Sequence, residues 1–108
     1  MKQITASEFE AEVSKCDLPV LVDFYTDQCG PCRMMAPVLE ELSAEESEHM
    51  KVVKINAAEN MQLASAFGIS AVPTFIVFHN GGPVGQKSGM QSKQGLLDWV
   101  NESATANQ

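Results

Sequence analysis

The sequence predicts an α/β fold built on a mixed sheet. Three observations carry this. Near-continuous apolar runs lie at Pro19–Tyr25, Lys51–Asn56 and Thr74–His79, the segments between them have helical periodicity, and Asn80-Gly81-Gly82 signals a hairpin. Runs that are apolar at nearly every position suit strands covered on both faces. Strands alternating with helices argue for parallel pairing with right-handed crossovers, and the closing hairpin makes the sheet mixed. A chain of 108 residues suits one domain over its whole length, 1–108.

The elements follow in order. Ser7 with Glu10 is a capping-box pattern ahead of a short helix through about Lys15. Pro19 to Tyr25 is the first strand read. Met35, Leu39 and Leu42 then recur at helical spacing, with Glu40, Glu41, Glu45 and Glu46 on the wetter side. Val52, Val53 and Ile55 make Lys51 to Asn56 another buried strand. Asn60 stands as the cap of a helix carrying Leu63, Ala64 and Phe67, which Gly68 stops. Thr74 to His79 is the most strand-like segment, and Val84 to Ser88 return after the turn. Leu96, Leu97 and Val100 mark a last helix from near Ser92, and the small, polar tail from Ser103 is expected to fray.

Composition narrows the function. A net charge of -7 and a pI of about 4.6 argue against nucleic acid and anionic membranes as partners. No stretch approaches the ~18 apolar residues of a membrane span. Met1-Lys2-Gln3-Ile4 lacks the apolar core of a signal peptide, so a reducing, cytoplasmic setting is expected. Three cysteines, an odd number, do not make a disulfide framework.

Two of them stand in Cys29-Gly30-Pro31-Cys32, between the first apolar strand and the helix after it. Three apart, they share one face of a first helical turn and can pass between dithiol and disulfide without moving the fold. They also lie beyond the carboxyl end of a strand, where α/β sheets gather their chemistry. The nucleophile in disulfide exchange is the thiolate. A thiol of pKa ~8.5 is only ~3% thiolate at pH 7 and one of pKa ~7 about half, a difference of ~2 kcal/mol. A helix N-terminus supplies ~0.3–1 kcal/mol to a nearby anion. Hydrogen bonds to the sulfur from the N–H or thiol of Cys32 are needed for the rest. Gly30 permits a tight turn and close approach of a partner, and Pro31 presets helical φ where its missing N–H costs nothing. Cys29 is then the attacking, exposed sulfur and Cys32 the resolving one. The alternatives are a zinc site or two inert thiols. Structural zinc wants four ligands, and only Cys16, His49 and His79 are available as scattered company.

Asp23 interrupts the first apolar strand and Lys54 the second. Burying a charge is costly unless it is paired or functional. If the strands are neighbours, Asp23 lies under the motif and takes the proton from Cys32 when that sulfur attacks. Burial raises its pKa and Lys54 pulls the other way. A structural ion pair, or a Lys54 that snorkels to solvent, is the competing reading. Pro73 opens the strongest strand, as a proline is permitted to do. A cis bond there would set the backbone of Val72 beside Cys29, as an edge for an extended peptide. Pro37, inside the helix, removes a hydrogen bond to the carbonyl of Arg33 and is expected to kink it. The kink either separates the reactive turn from the packed remainder or wraps the helix round the sheet.

With these residues the chain resembles the thioredoxin family. The resemblance rests on Val22-Asp23-Phe24, Cys29-Gly30-Pro31-Cys32, Pro37, Val72-Pro73-Thr74-Phe75, Asn80-Gly81 and Gly89, in the family's order over nearly the whole chain. It implies a thioredoxin fold, a central five-stranded mixed sheet flanked by four helices. It implies Cys29 as nucleophile, Cys32 as resolver, and Asp23 with Lys54 as the buried pair. A cis peptide before Pro73 and a substrate groove of Gly30, Pro31, Val72, Pro73 and Gly89 follow from it too, and Met90 lends that groove apolar surface. The implied activity is reduction of protein disulfides without a cofactor or metal, by a monomer. Electrons come from a flavoprotein thioredoxin reductase. The chain departs from the family in Gln28 and Tyr25, where tryptophans are common. Ala57 and Ala58 replace a larger apolar residue and an aspartate, and Arg33 replaces a lysine. The rim of Cys29 is thereby less aromatic and more polar.

Cys16 reads as a packed small hydrophobe. His49 and His79 read as surface residues, and Met34, Met35, Met50 and Met61 as core or rim filler. A disulfide oxidase or isomerase would use the same chemistry at a different poise. An accessory subunit or chaperone with dispensable cysteines is the rival from another class.

Overall fold

The computed structural model describes residues 1–106 and resolves the apolar runs into one sheet. Its strands are β1 (Lys2–Gln3), β2 (Val20–Tyr25), β3 (Lys51–Asn56), β4 (Thr74–His79) and β5 (Gly82–Ser88), in the spatial order β1-β3-β2-β4-β5. β3 runs parallel to β1 and β2, and β4 is antiparallel to β2 and β5. Four helical segments flank the sheet. Three are the α-helices α1 (Gly30–Glu45), α2 (Met61–Ala66) and α3 (Lys93–Ala106). The fourth, at the N-terminal end, is a 3-10 turn at Ala6–Glu8 followed by a π-helical turn at Glu10–Ser14.

Two-residue alternation along the strands divides the core into two layers. Val20, Val22 and Phe24 of β2 enter one, with Val53, Ile55, Ile76 and Phe78. There the rings of Phe9 and Phe67 meet Phe78 edge to face. Leu21 enters the other, with Val52, Phe75, Val77, Met35, Leu39 and Leu42 of α1, and Leu96 and Val100 of α3. Burial of each large side chain contributes about 1.5–3 kcal/mol. The same alternation sends Asp23 and Lys54 toward the α1 layer.

Several expectations change. β1 was not read from the sequence: both of its residues are exposed, so no buried pattern betrays it. The box at the first helical segment joins Thr5 and Glu8 rather than Ser7 and Glu10, the Glu8 carboxylate accepting the Thr5 N–H at 2.9 Å. Asn60 precedes α2, but its side chain does not cap that helix. It accepts the Ala6 N–H and donates to the Asn56 carbonyl, both at 2.9 Å, tying the N-terminal segment to the sheet. Pro37 lies inside α1 without ending it. Ser92 does cap α3, its Oγ accepting the Gly95 N–H at 2.9 Å. α3 does not fray at Ser103: it continues to Ala106 with Ser103 and Ala104 buried, small side chains letting the helix sit close to the sheet. The rest of the expected tail, residues 107–108, lies outside the described residues.

Asn80 (φ 56°) and Gly81 (φ 85°) both take the left-handed conformation that a two-residue hairpin turn requires. Gly68, at φ 69°, ends the α2 segment as expected.

Candidate functional site

β2 ends at Tyr25, and the chain turns through Thr26, whose carbonyl accepts the Cys29 N–H at 3.3 Å. Cys29 is the N-cap of α1, extended at φ -90° and ψ 110°, and its carbonyl accepts the first helical N–H, from Arg33, at 3.2 Å. Cys29 and Cys32 are joined as a disulfide, with Cα atoms 5.2 Å apart. The Cys32 N–H points at Cys29 Sγ at 3.1 Å, the hydrogen bond that the thiolate needs beyond the helix dipole. Pro31 falls within the first turn, where an N–H would have no helical partner. Cys29 is half-buried, while Cys32 is 6% exposed. The two residues therefore differ in access.

Cys29 Sγ also lies 3.6 Å from the carbonyl oxygen of Val72. In the disulfide that sulfur carries no hydrogen, so this is a contact; a thiol at the same place would have an acceptor. The Val72–Pro73 bond is cis. Pro73 is buried, its carbonyl accepts the Gly89 N–H at 2.9 Å, and Gly89 sits at φ 89°. The next strand is anchored by Thr74, whose Oγ1 donates to the Ala71 carbonyl at 2.6 Å and lies 2.8 Å from Ser88 Oγ. The sequence reading missed that positioning role, for which a hydroxyl opening the strand after Pro73 was the available signal. Gly30 and Pro31 are exposed on the first turn of α1, and Met90 is 49% exposed.

Beneath the disulfide, Asp23 and Lys54 stand opposite each other in the parallel register of β2 and β3. Asp23 is 3% exposed and its Oδ1 has no hydrogen-bond partner. Burial pushes its carboxyl up to about 7, against the pull of the Lys54 charge. The side chains do not close into an ion pair. The Lys54 ammonium lies instead over the Tyr25 ring, 5.2 Å from its centroid. A cavity of about 200 Å³ joins these groups, lined by Asp23, Tyr25, Asp27, Cys32, Arg33 and Lys54. Asp23 and the resolving sulfur thus open onto one small space with room for several water molecules.

Among the described residues, no group of three or more His, Cys, Asp or Glu side chains is placed to hold a metal ion. Cys16 packs against the Phe24 layer of the core, away from the disulfide. Among the described residues, no helix is long and apolar enough to cross a membrane.

The family model described as Thioredoxin matches residues 1–102. The chain is 46% identical over 100 residues to a thioredoxin of Rickettsia felis, covering 93% of this chain and 95% of the relative. It is 42% identical over 103 residues to a thioredoxin of Rhodospirillum rubrum, covering 95% and 99%. A protein named thioredoxin 1 of Nostoc sp. is 46% identical over 94 residues, covering 87% and 88%.

Proposed function

The chain belongs to the thioredoxin family of thiol–disulfide oxidoreductases, and on that footing we propose that it is a protein-disulfide reductase working through Cys29 and Cys32. The Cys29 thiolate attacks one sulfur of a client disulfide, and the other client sulfur leaves as a thiolate. Cys32 then attacks Cys29 Sγ, passing its proton to the Asp23 carboxylate. The second client sulfur leaves, and the Cys29–Cys32 disulfide is the product. Lys54 tunes Asp23 through space. Gly30, Pro31, Val72, Pro73, Gly89 and Met90 form the strip along which the client lies, its backbone pairing with the edge at Val72.

The observation that carries this reading is the asymmetric pair at the N-cap of α1, one sulfur reachable and hydrogen-bonded by the Cys32 N–H, the other buried above the Asp23 carboxyl, whose Oδ1 has no hydrogen-bond partner. The whole chain acts as a single domain and as a monomer in the cytoplasm, on disulfide-bearing proteins. A flavoprotein thioredoxin reductase re-reduces it, and no cofactor or metal is held. The family resemblance supports these readings, and the net charge of -7 supports a protein client rather than nucleic acid or an anionic membrane.

The test is covalent trapping. A Cys32→Ser variant mixed with an oxidised protein substrate is expected to accumulate the mixed disulfide through Cys29, and Cys29→Ser to trap none. If Cys29→Ser traps the substrate and Cys32→Ser does not, the roles are reversed.

A further inference from the structure

Lys54 has two seats within reach on one face of the sheet. In the parallel register of β2 and β3 it stands opposite Asp23, and Tyr25 lies one pair further on, opposite Asn56. Side chains two apart on a strand share a face, so Asp23 and Tyr25 both project on the side that Lys54 occupies. The ammonium takes the second seat. It lies 5.2 Å from the centroid of the Tyr25 ring and does not close on Asp23, whose Oδ1 is left without a hydrogen-bond partner. All three side chains line the cavity of about 200 Å³ that Cys32 also borders.

Two effects favour that choice. Moving from the half-buried ring to Asp23, which is 3% exposed, would strip water from the ammonium. The ring offers a negative face that carries no net charge. Its hydroxyl stays protonated at neutral pH, because burial, and after it the Asp27 and Glu59 carboxylates, push its pKa up. The attraction is therefore to the ring face and not to a phenolate. The other charged groups about the cavity are Asp27 and Arg33 on its wall and the Met1 ammonium, which Glu40 holds at 3.3 Å. Of the cations it is Lys54 that bears on Asp23, pulling against burial.

The place of the Lys54 ammonium thus decides how strongly Asp23 holds a proton. We propose that Tyr25 is a positioning residue: its ring holds Lys54 off Asp23 and keeps that carboxylate basic enough to take the proton of Cys32. The part in turnover rests on the exchange reading above; the hold on Lys54 does not. An ammonium released from the ring would close on ionised Asp23 and stabilise it.

The test compares the full chain with Tyr25→Leu, which removes the ring at a half-buried strand end, and Tyr25→Phe, which keeps it. Tyr25→Ile, a strand former, stands in should the leucine variant not fold. Two pH titrations are read. The first follows the Asp23 carboxyl carbon by NMR in the disulfide form, where no exchange takes place. The second follows the decay of a mixed disulfide by acid quench and mass spectrometry. It starts once Cys29 has attacked a peptide–thionitrobenzoate disulfide at the peptide sulfur and the coloured thionitrobenzoate anion has left. In that decay Cys32 attacks Cys29 Sγ, the peptide leaves as a thiolate, and the Cys32 proton passes to Asp23.

Tyr25→Leu is expected to lower both midpoints by about half a pH unit to one unit, the worth of a partly desolvated cation–π contact. Tyr25→Phe is expected to keep the parental values. Leucine also lets water nearer Asp23, which lowers its pKa without Lys54. Both variants are therefore repeated in a Lys54→Met background, where loss of the ring is expected to shift neither midpoint. An unmoved NMR midpoint in Tyr25→Leu overturns the proposal. So does a phenylalanine variant that falls as far as the leucine one, or an equal shift with Lys54 gone. A shift seen by NMR but absent from the decay overturns Asp23 as the proton acceptor, and with it the part of Tyr25 in turnover. Failure to release thionitrobenzoate at all counts against the exchange reading itself, while the NMR titration still decides the hold on Lys54.

Discussion

Replacing Asp23 with asparagine tests the buried carboxyl directly. Asp23 is 3% exposed, its Oδ1 lacks a partner, and burial lifts its pKa from 3.8 to about 7. The folded protein therefore holds a proton that the unfolded chain has released between about pH 4 and about pH 7. Stability of the parent falls as pH rises through that window and levels off above it. A shift of about 3 pKa units, at 1.36 kcal/mol each, corresponds to roughly 4 kcal/mol lost by pH 8. Asp23→Asn carries a neutral side chain of nearly the same shape at every pH and escapes this loss. Its amide N–H groups must find partners, at a cost of about 1–3 kcal/mol if they do not, but that cost is the same at every pH. The pH dependence of the difference is thus the decisive quantity. In urea unfolding of the disulfide form, the midpoint of the variant should move up relative to the parent by more than about 1 M between pH 4 and pH 8. A difference that stays constant with pH, or that grows toward acid, would refute a desolvated carboxyl beneath the disulfide.

Two further outcomes follow from other contacts. Lys54→Met removes the positive charge that holds Asp23 down, so the pH midpoint for decay of a Cys29-linked mixed disulfide should move to higher pH; stopped-flow kinetics showing an unmoved midpoint would sever Lys54 from the resolving step. Gly85→Ala should cost about 1–3 kcal/mol of unfolding free energy in a urea titration, because a Cβ there would stand 3.0 Å from Ser103 Oγ and 3.1 Å from the Trp99 ring.

β2, β3 and β4 were legible because burial on both faces leaves an unbroken apolar record, the largely exposed β5 because the Asn80-Gly81 turn announces a returning strand, and the reactive turn because Pro31 and the two cysteines fix a helix start. Asp23 was legible as a charge inside such a record. What escaped was written in tertiary contact. β1 has two exposed residues and exists because Lys2 and Gln3 pair with Val53 and Lys54. The partner of Lys54 is a ring face, and Tyr25 carries no local sign that it will receive an ammonium. Asn60 looks like a cap in sequence, yet its carbonyl serves Ala6, 54 residues away. Ser103 and Ala104 read as a loose tail because small side chains signal either fraying or close packing, and only the fold decides which.

The reduction potential of the Cys29–Cys32 pair, measured in a dithiothreitol redox buffer, tests the reductase reading most directly. The account predicts a value near that typical of thioredoxins, about -270 mV. A value of about -180 to -120 mV would mark the chain as an oxidant or isomerase and contradict it.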